Sequence, residues 1–229
     1  MEVLLGKTLT ELQVVAQTVG LPRFAGKQLA EWLYIKRAKS FDEMTNISLK
    51  GREVLKANYT VGRYEPVAES VSKDGTKKYL FEIGKQYVES VYIPDNDRST
   101  LCVSTQTGCK MGCRFCMTGT LGFQGHLTAA DILNQIFSIP DADKLTNIVY
   151  MGEGEPMDNL DNVLRSLEVM TTIWGCAWSP KRITVSSVGI NRGLKRFIEE
   201  SECHLAISLH NPFGSERQEI MPIEKANHL

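Results

Sequence analysis

The second half of the 229-residue chain alternates between short apolar runs and amphipathic runs, and this alternation restricts the possible folds most strongly. Strands are predicted at 99–104, 147–151, 182–186 and 204–209, and helices at 129–137, 160–172 and 192–200. Strands and helices that alternate at this spacing build a parallel sheet, and a longer series closes into a βα barrel. Only about four strands fit before Leu229, so we predict an α/β partial barrel over 96–229 with an exposed sheet edge beside its fourth strand.

The first 62 residues have helical periodicity instead. Apolar residues recur at helix spacing over 9–19, a second helix is predicted at 27–35, and Ser48 is a suitable N-cap for a third. These residues carry nine Lys or Arg against six Asp or Glu, whereas the whole chain has a formal net charge of −1. The excess is densest at 36–39, which is either a solvated face or a nucleic-acid contact. We predict a small helical accessory domain over 1–62.

Between 63 and 95 the apolar period changes to two. Turn signals at 74–75 and 84–85 predict a short β-meander with strands at 78–83 and 86–93, closed by Pro94. Glu89 lies on the same strand face as two aliphatic residues, Val91 and Ile93. A carboxylate on an apolar face is costly without a partner, so its position suggests a pocket, and a water-exposed edge glutamate is the alternative.

The composition argues against several classes of protein. Hydrophobic residues make up 42% of the chain and charged residues 23%, which is typical of a folded domain and not of a disordered or fibrous chain. No apolar run approaches the ~20 residues of a membrane span, and the first seven residues lack the features of a secretion signal. We therefore predict a cytoplasmic location without a membrane partner, and six reduced cysteines available for metal binding or catalysis.

Three cysteines form a Cys-x3-Cys-x2-Cys loop after the first predicted barrel strand: Cys109, Cys113 and Cys116. Their thiolates could bind one face of a compact metal centre, and the flanking glycines allow the backbone to turn around it. Structural metal sites normally have four protein ligands, so three leave a position open, as in a catalytic site. In a [4Fe–4S] cluster the open iron could bind S-adenosylmethionine (SAM), whose reductive cleavage yields a 5′-deoxyadenosyl radical. A zinc site completed by Cys102 or His126 is the alternative.

Polar clusters also follow the other three predicted strands, where a barrel places its active site. They are Gly152-Glu153-Gly154-Glu155-Pro156, Ser186-Ser187 and Ser208-Leu209-His210-Asn211. In the first cluster the glycines permit close backbone approach, and a carboxylate can accept a hydrogen bond from the SAM ammonium group. A Gly/Glu turn is a weak signal alone, but its place downstream of Cys116 supports the same site.

These motifs together resemble the radical-SAM RNA adenine C2-methyltransferases, which act on an adenosine of large-subunit ribosomal RNA and on certain transfer RNAs. The resemblance covers nearly the whole chain and rests on residues 21–24, 26–28, 88–94, 98–109, 184–186 and 206–210. One departure is Glu153, where many relatives have methionine. We expect this additional carboxylate to be tolerated at a partly wet rim.

The resemblance implies roles for individual residues. Cys109, Cys113 and Cys116 would ligate the cluster, and Gly154, Glu155, Ser186, Ser208, Leu209 and His210 would line the SAM site. Glu89 would accept a proton from C2 of adenine, and Cys102 would resolve the covalent RNA intermediate. Cys176 and Cys203 match no motif of the family, so they are expected in the core or in linkers.

The resemblance also implies the reaction and its partners. The chain would methylate C2 of adenosine in 23S ribosomal RNA and in transfer RNA, with a [4Fe–4S] cluster and SAM as cofactors. Flavodoxin or ferredoxin would supply electrons to a monomeric enzyme, and the helical domain would hold folded RNA through backbone contacts. A radical is needed because C2 is electron-poor and cannot attack a SAM methyl group as a nucleophile.

The chain ends about two-thirds of the way through a typical member of that family, before the cysteine that carries the methyl group. We therefore expect a fragment that binds the cofactors without completing methyl transfer. Two other interpretations remain open, namely a radical methylase acting on adenine C8 and a non-catalytic, metal-stabilised RNA-binding module.

Overall fold

The computed structural model describes residues 1–228. Its strands are β1 (Glu2–Val3), β2 (Tyr59–Thr60), β3 (Ala68–Val71), β4 (Lys77–Ile83), β5 (Gln86–Asp95), β6 (Arg98–Cys102), β7 (Gln106–Thr107), β8 (Gly125–His126), β9 (Asn147–Tyr150), β10 (Ile183–Ser187) and β11 (His204–Ile207). Its α-helices are α1 (Leu9–Thr18), α2 (Ala25–Ala30), α3 (Leu49–Asn58), α4 (Met117–Thr120), α5 (Ala129–Phe137), α6 (Leu160–Thr171), α7 (Asn191–Glu200) and α8 (Gly214–Ile220). A π-helix follows α2 at Glu31–Ile35, and 3-10 helices occur at Phe41–Glu43, Ala142–Lys144, Pro156–Asn159, Pro180–Arg182 and Pro222–Lys225. None of the described helices is both long and apolar enough to cross a membrane.

The predicted strands and helices of the barrel are confirmed, with small shifts at their ends. β6, β9, β10 and β11 match the four predicted strands, and α5, α6 and α7 match the three predicted helices. The helices form where one face is apolar, as in α6, which buries Leu160, Val163, Leu167 and Met170. In the helical domain, Ser48 caps α3 as predicted by accepting a hydrogen bond from the N–H of Gly51.

Seven strands form one mixed sheet in the order β11-β10-β9-β6-β5-β4-β3. The four barrel strands are mutually parallel, and β3 to β6 are antiparallel neighbours. The sheet therefore runs without a break across the predicted domain boundary between residues 95 and 96. Contrary to prediction, Pro94 does not end β5, because it pairs with Ser99 of β6. Pairing between β4 and β5 ends at Tyr92 of β5, two residues before Pro94. Pro94 has no N–H to donate, but it has no partner on β4, so no hydrogen bond to β4 is lost.

The two faces of this sheet differ in burial. On one face, fully buried side chains form a single apolar core with α5, α6 and α7: Leu101, Ile148, Tyr150, Ile183 and Val185. The opposite face, which we call the open face, carries half-buried side chains such as Cys102, Val149, Thr184 and Ser186. Within the described residues β11 pairs only with β10, which confirms the predicted sheet edge.

The helical domain is joined to the barrel helices by polar contacts as well as by the common core. Glu11 of α1 forms an ion pair with Arg165 of α6. Arg37 pairs with Asp143 at 2.9 Å. Arg63, just after the helical domain, donates hydrogen bonds both to the carbonyl of Arg37 and to the carbonyl of Phe137 at the end of α5. These contacts connect the two parts of the chain at several separate points.

A buried carboxylate stabilises the joint between the sheet and the segment after α5. Asp141 is 5% exposed and accepts hydrogen bonds from Lys77 at 2.7 Å, Lys144 at 2.8 Å and Tyr79 at 2.9 Å. Burial alone would raise the pKa of Asp141, but the hydrogen bonds from Lys144, Lys77 and Tyr79 outweigh it and hold the pKa at about 2. A carboxyl group whose pKa is lowered by folding stabilises the protein above its unfolded-state pKa. That contribution is lost as the pH falls through the folded-state value.

Replacing Asp141 with asparagine should lower the free energy of unfolding at pH 7 by about 1–3 kcal/mol, because charge-assisted hydrogen bonds are lost. The deficit relative to wild type should shrink as the pH falls from about 4 to about 2, where the wild-type carboxylate is itself protonated. Urea unfolding at several pH values measures both effects. Asp97→Asn, at an exposed site, is the control, and a deficit that does not change with pH would contradict the argument.

Candidate functional site

The register of the sheet places the two predicted catalytic residues on the same face. Val91 of β5 pairs directly with Cys102 of β6, and Cys102 pairs with Val149 of β9. Glu89 lies two residues before Val91 on β5, so it is a diagonal neighbour of Cys102 on the open face. Burial raises the pKa of the half-buried Cys102 thiol, which favours its protonated form.

Glu89 is more accessible than the sequence suggested. The buried face of β5 is formed by Val88, Ser90 and Tyr92, so Glu89 does not lie in an apolar pocket. Its side chain is 44% exposed and forms an ion pair with Lys78 at 3.2 Å. The helices pack against the opposite face of the sheet and leave Glu89 uncovered. The surroundings of Glu89 therefore fit the alternative of a water-exposed glutamate better than that of a pocket.

Glu153 links β5 to the cysteine loop. Its carboxylate accepts hydrogen bonds from the N–H of Glu89 at 3.0 Å and from the N–H of Gly108 at 3.4 Å. Burial raises the pKa of this carboxyl group. Two main-chain donors hold Glu153 in a half-buried position, which is compatible with the partly wet rim expected from the sequence.

Glu155 joins the loops that follow β9 and β10. It is 2% exposed, and its carboxylate accepts hydrogen bonds from Ser187 Oγ at 2.7 Å, from the N–H of Val188 at 3.0 Å and from the N–H of Met157 at 3.1 Å. Burial raises the pKa of Glu155 in spite of these hydrogen bonds. Its predicted contact with the SAM ammonium group stays a prediction.

Gly154 has no room for a side chain. It has a φ of 96°, and a Cβ there would lie 2.6 Å from Cβ of Gln106.

Side chains that sequence reasoning missed hold the turn at Gly154 in place. Gln106 Oε1 accepts from the N–H of Glu155 at 2.9 Å, and Gln106 Nε2 donates to Asp158 at 2.8 Å. Asp158 also pairs with Lys110 of the cysteine loop at 2.8 Å. No periodicity marks these residues, because their partners are distant in the sequence.

The polar segment after β11 meets both β10 and the cysteine loop. The N–H of Ser208 donates to the carbonyl of Ser187 at 2.9 Å. His210 has a φ of 56°, unusual for a residue with a side chain, and its ring contacts Phe115 with the ring centroids 4.5 Å apart. Ser186 lies on β10 and donates to the carbonyl of Tyr150, and Leu209 is 48% exposed.

A buried arginine, which sequence reasoning also missed, stabilises these strand ends. Arg217 of α8 is 1% exposed and forms a buried ion pair with Glu224. Its guanidinium group donates to the carbonyl oxygens of Leu209 at 3.0 Å, Val188 at 2.6 Å and Ser208 at 3.2 Å. Arg217 therefore fixes the segments after β10 and β11 relative to each other.

Family models match two successive segments of the chain. The model of the ribosomal RNA large subunit methyltransferase N-terminal domain matches residues 3–61, and that of the Radical SAM superfamily matches residues 103–222. The chain belongs to the radical SAM superfamily. This membership implies a [4Fe–4S] cluster and SAM as cofactors, and it confirms the partial radical-SAM barrel predicted from the sequence.

Other members of the radical SAM superfamily are similar over nearly the whole chain. A probable dual-specificity RNA methyltransferase RlmN of Bacteroides fragilis is 62% identical over 97% of this chain and 65% of its own length. The dual-specificity RNA methyltransferase RlmN of Geotalea uraniireducens is 41% identical over 95% of this chain and 64% of its own length. The crystal structure of a radical SAM methyltransferase from Sphaerobacter thermophilus has a TM-score of 0.92 and 33% identity, covering 99% of this chain and 69% of that one. The chain thus spans less than two thirds of the length of the two RlmN relatives.

The cysteine loop has a donor set that suits a radical SAM cluster. Cys113 is buried against Met111 and Met221, and Cys109 and Cys116 contact the same cluster of side chains. Burial, reinforced by the nearby Cys109 and Cys116, raises the pKa of the Cys113 thiol to about 11. Three neighbouring thiols in soft, apolar surroundings fit iron–sulfur ligation. Among residues 1–228 no group of three or more His, Cys, Asp or Glu side chains has the arrangement of a ready metal site, so the ligand roles stay predictions.

The other three cysteine or histidine positions considered in the sequence have ordinary structural surroundings. Cys203 is buried in the apolar core, and the partly buried Cys176 packs against the same core. His126 lies in β8, where its Nδ1 is 3.0 Å from Gln106 Nε2 and its ring contacts Phe123.

Proposed function

We propose that this chain is the cofactor-binding part of a radical SAM methyltransferase that methylates C2 of adenosine in 23S ribosomal RNA and in transfer RNA. One observation carries the proposal: Glu89 and Cys102 lie on the open face of the sheet, and Glu153 ties Glu89 to the cysteine loop. The names of the relatives, which include dual-specificity RNA methyltransferases, support the substrate class. A reductant such as flavodoxin or ferredoxin, a monomeric state and a cytoplasmic location belong to the same proposal.

The cluster and SAM would be held by the segments at the carboxyl ends of the strands. Cys109, Cys113 and Cys116 would ligate the cluster, which, once reduced by the electron donor, would supply one electron for the cleavage of SAM into methionine and a 5′-deoxyadenosyl radical. SAM would lie against Gly154, Glu155, Ser186, Ser208, Leu209 and His210. Glu155 and Arg217 join three of these segments through hydrogen bonds, so they hold the pocket wall in one arrangement.

The open face would supply the acid–base and sulfur chemistry. Glu89 is accessible to solvent beside Lys78. Its carboxylate can therefore reach an adenine placed over the open face and accept the proton from C2 of that adenine. Cys102 would have to lose its proton before its thiolate could attack the sulfur that links enzyme and RNA in the covalent intermediate, forming an S–S bond as the S–C bond breaks and the methylated carbon takes up a proton. Burial makes loss of the thiol proton unfavourable in the resting protein. The proposal therefore requires a proton acceptor for the Cys102 thiol when the RNA is bound.

The cofactor part of the proposal can be tested on this chain directly. After anaerobic reconstitution with iron and sulfide, the wild-type chain should bind a [4Fe–4S] cluster and release 5′-deoxyadenosine from SAM when reduced. Cys113→Ala should lose both the iron and the SAM cleavage, because one of three ligands is missing. Iron analysis, absorption spectra and chromatography of the SAM products measure these outcomes.

The matched control is Cys203→Ala, which removes an equally buried thiol from the core and should keep its iron. A colourless wild-type chain that holds one zinc ion would contradict the proposal, and so would full iron content in Cys113→Ala. Mapping the methylated carbon on RNA treated with the full-length protein distinguishes C2 from C8.

A further inference from the structure

The pairing of β5 with β6 ends next to Glu89. The last paired residues on this side are Val91 and Cys102, and the same register would place Glu89 opposite Ser104. The main chain of Ser104 is bonded to α5 instead. Its N–H donates to Oε1 of the fully buried Gln135 at 2.9 Å, and Gln135 Nε2 donates to its carbonyl at 3.0 Å. Glu89 therefore lacks a strand partner on the β6 side.

Two residues take the place of the missing strand partner. Glu153 Oε1 accepts a hydrogen bond from the N–H of Glu89 at 3.0 Å, and Ser104 Oγ donates to the carbonyl of Glu89 at 2.6 Å. Ser104 Oγ also accepts from the N–H of Glu153 at 2.8 Å, so the two residues that hold Glu89 are bonded to each other. Both main-chain groups that a strand would satisfy thus have partners. We call Ser104 and Glu153 the Glu89 bracket.

The Glu89 bracket fixes the base of the Glu89 side chain, because the positions of the N–H and the carbonyl determine where the Cα–Cβ bond points. The tip of the same side chain pairs with Lys78 at 3.2 Å. The other carboxylate oxygen of Glu153 accepts from the N–H of Gly108 at 3.4 Å, directly before Cys109. One carboxylate therefore contacts both the strand that carries Glu89 and the loop that carries the three cysteines.

We propose that Ser104 and Glu153 are positioning residues for the Glu89 carboxylate, and that Glu153 also holds Glu89 in a fixed relation to the cysteine loop. The catalytic meaning of this arrangement rests on the proposed function, in which Glu89 accepts the C2 proton, whereas the hydrogen bonds stand without it. A proton acceptor has to lie within hydrogen-bond reach of the proton that it takes, so a small displacement of Glu89 would slow the transfer. Methionine at position 153, as in many relatives, offers no oxygen to either N–H.

Hydrogen exchange of single main-chain N–H groups, measured by NMR, tests the Glu89 bracket on this chain without iron, SAM or RNA. Glu153→Met should speed exchange at Glu89 by about tenfold or more, and should also speed it at Gly108, because both N–H groups lose their acceptor. Glu153→Gln keeps one side-chain oxygen and replaces the other with a donor, so one of the two N–H groups should keep its wild-type rate. Glu82→Met, at an exposed site of β4, is the control and should change neither.

Methylation by the full-length protein tests the catalytic consequence. Glu153→Met and Ser104→Ala should each lower kcat by about tenfold or more and leave KM for RNA within about twofold, because they displace a reacting group and remove no RNA contact. Either change should have a much smaller effect when Glu89→Gln is already present, since the Glu89 bracket acts only through Glu89. Thermal melting of each variant checks that the fold is intact.

Unchanged exchange at Glu89 in Glu153→Met would overturn the inference, whatever the protein methylates. Faster exchange at Glu89 with an unchanged kcat would overturn it as well, because the position of Glu89 would then not limit the reaction. A wild-type protein that leaves C2 unmethylated would contradict the proposed function instead. The exchange rates would still decide in that case whether Ser104 and Glu153 hold Glu89 in place.

Discussion

Replacing Gly108 with alanine should prevent the cysteine loop from closing and abolish iron binding. Gly108 has a φ of 70°, and a Cβ there would lie 1.7 Å from the carbonyl oxygen of Gly122 and 2.9 Å from its carbonyl carbon. Both are main-chain atoms, so no side-chain rotation can relieve the overlap. The segment before Cys109 would have to move away from the segment at 122–123, and the three cysteines would lose their common position.

Gly122 provides a matched control for this prediction. It has the same φ of 70°, but nothing lies within 4 Å of a Cβ built on it. Gly122→Ala should therefore incur only the cost of a left-handed backbone, about 1–2 kcal/mol, and should retain its iron. Iron content after anaerobic reconstitution and thermal melting would be compared in the two variants. Equal iron content in both would show that the close approach at Gly108 is not required.

Replacing Arg217 with methionine should lower the free energy of unfolding by about 3–5 kcal/mol, because it removes the cation beside the buried carboxylate of Glu224. The carbonyl oxygens of Val188, Ser208 and Leu209 lose their donor at the same time. The segments after β10 and β11 would become more mobile relative to each other. We expect weaker SAM binding as well as lower stability.

Two further variants separate this effect from a general loss of charge. Arg217→Met/Glu224→Met replaces the whole pair with apolar side chains and should recover most of the lost stability, since it leaves no buried charge behind. Arg196→Met removes an arginine from an exposed pair with Asp161 and Glu200 and should unfold at nearly the same urea concentration as wild type. The argument fails if Arg217→Met is no less stable than Arg196→Met.

Hydrophobic periodicity predicted barrel elements such as α6 because they bury one continuous face. α6 shows this over twelve residues, with Leu160, Val163, Leu167 and Met170 buried at helix spacing and with polar residues at both ends. The strand β5 shows the limit of this reasoning. Both of its faces carry apolar side chains, Val88 and Tyr92 on one and Val91 and Ile93 on the other, and only packing against helices determines which face is buried. The sequence therefore could not determine whether the Glu89 side chain is buried or exposed to solvent.

The contacts that shape the site were not predictable for a different reason. Glu153 binds N–H groups that are 64 and 45 residues away in the sequence, and Arg217 binds carbonyls that follow two different strands. Hydrogen bonds of this kind leave no periodic signal. The same holds for the basic run at 36–39, since the acids that pair with it include Glu65 and Asp143, which lie outside the helical domain. The net charge of the helical domain therefore could not show which of its Lys and Arg side chains form ion pairs with carboxylates.

The polar contacts between the helical domain and the barrel have a consequence for RNA selection. The pairs Glu11–Arg165 and Arg37–Asp143 connect the two parts directly, and Arg63 bridges the carbonyls of Arg37 and Phe137, so the helical domain does not swing on a single hinge. If the proposed function holds, an RNA that contacts both the helical domain and the open face of the sheet would have to fold so that its two contacting parts lie a fixed distance apart. Discrimination between RNAs would then depend on their three-dimensional shape more than on their base sequence.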